Sequence, residues 1–123
     1  MTGTSSALHR LLLALDEPRA QGIQLGRWRW TVRQRMAGVR DALVNEGEHA
    51  PDGWLAARGV TILRERNALQ ARLTDLGPAV LESPDVARVR TDLKRLAVDI
   101  AHHCQRLHDL AYDEVELELG GSE

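Results

Sequence analysis

The chain has 123 residues, 43% hydrophobic and 28% charged, with 16 Lys plus Arg against 18 Asp plus Glu. That balance fits one soluble globular domain over residues 1–123 and excludes a disordered tail. The longest apolar run, Leu11 to Leu15, is far short of the roughly 20 residues that span a bilayer. A lone cysteine, Cys104, excludes an intrachain disulfide and any Cys-x-x-Cys pair.

Apolar residues recur at helical spacing along almost the whole chain, so the expected fold is all-α. A first short helix, capped near Ser5 or Ser6, places Leu8, Leu11, Leu12 and Leu15 on one face and stops before Pro18. Met1 to Thr4 and the last four residues are expected to be loose ends. A second helix carries Leu25, Trp28, Val32, Met36, Val39 and Leu43 and is expected to close at Gly47. The third, with Asp52 as its cap, aligns Leu55, Ile62, Leu69, Leu73 and Leu76, is interrupted by Arg66, and is expected to end at Gly77 and Pro78. Ser83, Pro84 and Asp85 then read as a hydroxyl cap, a first-turn proline and an acid at the positive end of the helix dipole.

The fourth helix is the most regular. Val86, Val89, Leu93, Leu96, Ile100, His103, Leu107 and Leu110 alternate at spacings of three and four, with Arg90, Ala97, Cys104 and Ala111 widening the seam to that of a bundled helix. Beyond Tyr112, Val115, Leu117 and Leu119 alternate with Glu114, Glu116 and Glu118 at period two, a pattern open to helix or strand. The expected architecture is a short helix followed by three long ones in an up-and-down antiparallel bundle, with a long C-terminal helix able to overhang and support a dimer.

Charge is segregated along the chain. Residues 18–40 hold Arg19, Arg27, Arg29, Arg33, Arg35 and Arg40 without an acid, and residues 109–123 hold Asp109, Asp113, Glu114, Glu116, Glu118 and Glu123 without a base. Trp30 lies off the apolar stripe among these arginines. A basic face with an exposed tryptophan suits contact with an acidic partner, and docking onto the acidic C-terminal end, within one chain or between copies, satisfies both regions. Nucleic acid is the less favoured partner, since the sequence pI is about 6.2 and no helix-turn-helix spacing occurs.

Reactive groups concentrate in Asp99, His102, His103, Cys104, His108, Asp109 and Asp113. His108 and Asp113 have a His-x4-Asp spacing that resembles hemerythrin-like di-iron bundles, and the resemblance implies a metal set drawn from His103, His108 and Asp113. The remaining pattern is missing: His9 lies near the N-terminus, His49 lies in a loop, and the Glu46–His49 spacing of ferritin-like sites is broken by Gly47. Heptad phase puts His103 on the seam and His102 and His108 outside it. Asp99, one turn before His103, is positioned to hold the imidazole and raise its pKa as a pH-sensitive pair.

No phosphate loop, nucleophile elbow or His-Glu-x-x-His occurs, so neither catalysis nor a cofactor is expected. The favoured function is a small intracellular interaction or adaptor protein. With no basic segment ahead of a secretory-type apolar stretch, it is expected in the cytoplasm. Its binding residues are Arg29, Trp30, Arg33 and Arg40 on the second helix and Tyr112, Val115, Leu117 and Leu119 at the acidic, apolar C-terminal segment, where an extended strand would add to a partner's sheet edge or groove. A helical metal-binding protein and a nucleic-acid-associated protein are the alternatives.

Overall fold

In the computed structural model the backbone is described for residues 3–17, 23–48 and 56–121, and side chains for 3–17, 24–46 and 59–110. Four helices follow in order, α1 Gly3–Asp16, α2 Ile23–Glu48, α3 Ala56–Glu82 and α4 Val86–Gly121. Each helix packs on its neighbours in the chain and α1 closes the ring against α4. Contacts between opposite ends set the directions. Thr4 meets Glu46, Arg29 meets Val80 and Ser83, Arg72 meets Asp99, and Arg90 meets Leu15 and Asp16. Every adjacent pair is therefore antiparallel, and the fold is an up-down-up-down all-α bundle.

The periodic stripes become the core. Leu8, Leu11 and Leu15 of α1, Trp28, Val32, Met36, Val39 and Leu43 of α2, Leu69, Leu73 and Val80 of α3, and Val89, Leu93, Leu96 and Ile100 of α4 are all buried, with Leu12, Leu25, Leu76 and Val86 packed at the margin. Burying each such leucine or valine contributes about 1.5–3 kcal/mol relative to exposure, which is the main force closing the bundle.

Several boundaries differ from expectation. α1 begins at Gly3, not at Ser5 or Ser6, and Thr4, expected in a loose end, is buried, with its hydroxyl donating to Glu46 Oε2 at 3.4 Å. α2 continues one residue past Gly47. Asp52 and Leu55, expected at the start of the third helix, lie outside the described residues.

The largest departure is at Pro78, which α3 passes through on its way to Glu82. An internal proline removes one i to i−4 hydrogen bond, but the turn it begins is anchored from both sides. Val80 is fully buried, the Ser83 amide donates to Ala79 O at 2.9 Å, and Arg29 of α2 donates to Val80 O at 2.9 Å and to Ser83 O at 2.7 Å. A guanidinium on the carbonyl end of a helix satisfies orphan acceptors and complements the dipole. Gly77, within the helix, leaves room for Arg33, whose Nε would lie 3.3 Å from an added Cβ.

The start of α4 also shifts by two residues. Asp85, rather than Ser83, is the cap: its Oδ1 accepts from the Arg88 amide at 3.1 Å, while Ser83 Oγ accepts from the Asp85 amide at 3.2 Å. The 36 residues of α4 make a rod about 54 Å long. Its backbone is helical through Gly121, so the segment 113–119 is not an extended strand.

Candidate functional site

Four helices meet at one buried polar cluster. His103, on the seam of α4, is fully buried. Its Nδ1 lies 2.7 Å from Glu65 Oε1 on α3, and its Nε2 lies 2.6 Å from Glu46 Oε1 on α2. Carboxylates accept and do not donate, so both contacts are hydrogen bonds together when the ring carries a proton on each nitrogen, as an imidazolium. Burial opposes that charge, but the hydrogen bonds to Glu46 and Glu65 outweigh it and raise the His103 pKa above its ordinary value.

The two carboxylates are supported unequally. Glu65 accepts from Arg106 Nε at 2.9 Å and 3.1 Å, and Arg106 Nη2 lies 2.7 Å from Glu65 Oε2. Burial disfavours the Glu65 charge, yet Arg106 and then His103 hold its pKa below the ordinary value. Among the described residues, Glu46 has the longer Thr4 hydroxyl contact on its second oxygen. Beside His103, Cys104 is half-buried, and its thiol pKa is pushed up to about 11, first by burial and then by the Glu46 charge. A thiol so raised is protonated at neutral pH and acts as a packed apolar group rather than a nucleophile.

Asp99 is not the partner of His103. Its Oδ2 accepts from Arg72 Nη1 at 2.7 Å, a largely exposed pair between α3 and α4. Nor do His103 and His108 converge, because His108 is exposed while both nitrogens of His103 are already bonded. Among the described residues no group of three or more His, Cys, Asp and Glu is placed to hold a metal ion. Asp113, the third member of that set, has its side chain outside the described residues.

On α2 the arginines separate in role. Arg29 is committed to the α3 carbonyls, Arg33 leans over Gly77, and Arg40 pairs with Asp41 at 3.2 Å on the surface. Trp30 is 54% exposed, whereas Trp28, two residues earlier and about 200° around the helix, is 5% exposed. Ala37 and Val44 follow Trp30 at seven-residue spacing, and Val44 is also exposed.

The up-down topology puts the N-terminal half of α2 beside the start of α4, so Arg29 and Asp109 are roughly 35 Å apart along the bundle. Arg29 therefore does not reach Asp109 within one chain. The side chains of Tyr112, Val115, Leu117 and Leu119 lie outside the described residues. Among the described residues no helix is long and apolar enough to cross a membrane. Comparison with protein-family models, curated proteins and solved structures finds no match to this chain.

Sequence reasoning missed Glu46 and Glu65 as the histidine's partners. A signal for them was present: Val39, Leu43 and Glu46 continue one core stripe at spacings of four and three, and Ile62, Glu65 and Leu69 do the same on α3. Acids within two apolar stripes, and a histidine within a third, mark a buried ionic cluster.

Proposed function

We propose that the protein is a small helical-bundle interaction module that binds an acidic, amphipathic helix of a protein partner along the outer face of α2. The observation that carries this reading is the exposure of Trp30 on the side of α2 opposite its core residues, in line with Val44. A large aromatic in water, flanked by cations, is the composition enriched at protein interfaces and depleted elsewhere on surfaces. Arg27 and Arg33, three residues either side of Trp30, share its face, and Arg40 lies further along. Arg29 is removed from the binding set because its guanidinium is held by α3.

The segment of α4 containing Tyr112, Val115, Leu117 and Leu119, acidic and apolar in sequence and helical in backbone, is the second proposed contact. The segment also has the chemistry expected of a ligand for the α2 face, which makes a second copy of this chain one candidate partner. Cross-linking from a photoreactive residue at Trp30 tests the proposal. It should yield one defined adduct whose cross-linked peptide is acidic and helical in pattern. Arg27→Glu, at an exposed cation one turn before Trp30, should abolish the adduct in the same background. An adduct set no different from that given by a probe at exposed Leu13 would refute the proposal.

A further inference from the structure

We propose that Glu46, His103 and Glu65 form a proton-controlled latch, closed while the His103 ring carries two protons and released at the Glu46 arm when it loses one.

Both ring nitrogens face carboxylate oxygens at hydrogen-bond distance, 2.7 Å on the Glu65 side and 2.6 Å on the Glu46 side. A neutral imidazole has one N–H and one lone pair, so it satisfies only one of these contacts and turns its lone pair on the other carboxylate. A buried contact between a lone pair and an anion cannot persist at that separation. One carboxylate must leave.

The surroundings decide which. Glu65 is held by Arg106 through three contacts of 3.1 Å or less, independent of the histidine. Among the described residues Glu46 retains the Thr4 hydroxyl at 3.4 Å. It also stands two residues from the end of α2, where a helix frays at least cost. The neutral ring therefore keeps its Nδ1–H on Glu65, and Glu46 turns out to solvent, loosening the end of α2 and the Thr4 contact that ties α1 to it.

Among the described residues the charged and titratable groups around the ring are few. α2 supplies Glu46, α3 supplies Glu65, and α4 supplies Arg106 and Cys104, with Asp99 one turn earlier engaged by Arg72. α1 supplies the uncharged Thr4 and Ser5. Cys104, its thiol pKa raised to about 11, ionises well after a histidine whose pKa is raised above 6.5, so His103 is the group beside Glu46 whose charge changes first as pH rises.

Cys104, half-buried beside the ring, provides a native reporter. The experiment measures its rate of alkylation by iodoacetamide in the intact chain from about pH 6 to pH 9, divided into the rate for the urea-unfolded chain in the same buffer. That ratio removes the thiolate chemistry and leaves protection by structure. NMR of the His103 ring follows its protonation in parallel. Protection should fall with rising pH across the His103 transition, at no more than about tenfold per pH unit, the limit for one-proton linkage.

Glu46→Gln should flatten that fall to less than about threefold, because the amide offers its oxygen to an N–H or its NH2 to a lone pair. Glu46→Leu with His103→Leu, in which no group at this position titrates, should be equally flat and guards against loss of fold in the single variant. Constant protection in the wild type while the ring loses its proton would overturn the latch. So would a ring that keeps both protons to about pH 9, or a Glu46→Gln variant with the wild-type profile.

Discussion

Replacing His103 by leucine preserves side-chain volume but removes both donors from the cluster. Glu65 keeps Arg106 at 2.7 Å and is 26% exposed, so it loses little. Glu46, whose side chain is 13% exposed, is left as a nearly buried carboxylate with one hydroxyl at 3.4 Å. Removing one partner of a buried ion pair costs about 3–5 kcal/mol, as an uncompensated charge or as the loosening of α2 that lets Glu46 reach solvent. Against a total stability of about 5–15 kcal/mol, that shift is large, equivalent to a drop in Tm of roughly 10–20 °C for a domain of this size.

The same reasoning makes a less obvious claim about the double variant. Glu46→Leu together with His103→Leu places two apolar side chains beside Leu43 and Ile100, both fully buried, and removes the desolvation cost of both charges. It should recover stability to within about 1 kcal/mol of the wild type. Urea unfolding followed by circular dichroism at about pH 6, with unchanged m-value, measures all three proteins. A single variant within about 0.5 kcal/mol of the wild type, or a double variant less stable than the single, would refute the assignment of the cost to a stranded Glu46.

The pH dependence has a definite sign. The raised His103 pKa contributes stability that is full below its unfolded value near 6.5 and is lost as pH rises through the folded pKa. The lowered Glu65 pKa contributes stability present above about 4.5 and lost as pH falls through its folded value. Urea midpoints should therefore be highest between about pH 4.5 and 6.5 and decline on both sides; a midpoint still rising at pH 8 would contradict this. Arg29→Ala, which strips the cap from α3, should cost about 2 kcal/mol in the same assay, because charged hydrogen bonds contribute about 1.5–3 kcal/mol. Asp85→Ala should cost about 1 kcal/mol and Ser83→Ala less, and the reverse order would return the cap to Ser83. Asp99→Ala should change stability by no more than about 0.5 kcal/mol, since its ion pair with Arg72 is largely exposed.

The stripes of α1, α2 and α4 were legible because burial on one side of a helix imposes its period directly on the sequence, and Leu11, Met36 and Ile100 fall where that period puts them. The end of α3 was not legible. Gly77 and Pro78 are local stop signals, and what overrides them, Arg29 on the Val80 and Ser83 carbonyls, lies some 50 residues earlier in the chain. The partners of His103 were hidden for the same reason. Asp99 is near in sequence and offers a plausible one-turn pairing, while Glu65 and Glu46 stand 38 and 57 residues away and reach the ring only once α2, α3 and α4 are assembled. The arginine-rich character of α2 was visible, but not its division into a helix cap at Arg29, a strut over Gly77 at Arg33 and a surface pair at Arg40.

The imidazolium bridging three helices is the feature on which this account of the bundle turns, and nitrogen-15 NMR of the histidine side chains at about pH 7 tests it most directly. His103 should show protons on both Nδ1 and Nε2, shifted downfield by the two carboxylates, and should titrate above the ordinary histidine value of 6.5. A neutral His103 ring with one N–H, titrating at or below 6.5, would contradict this reading of the cluster.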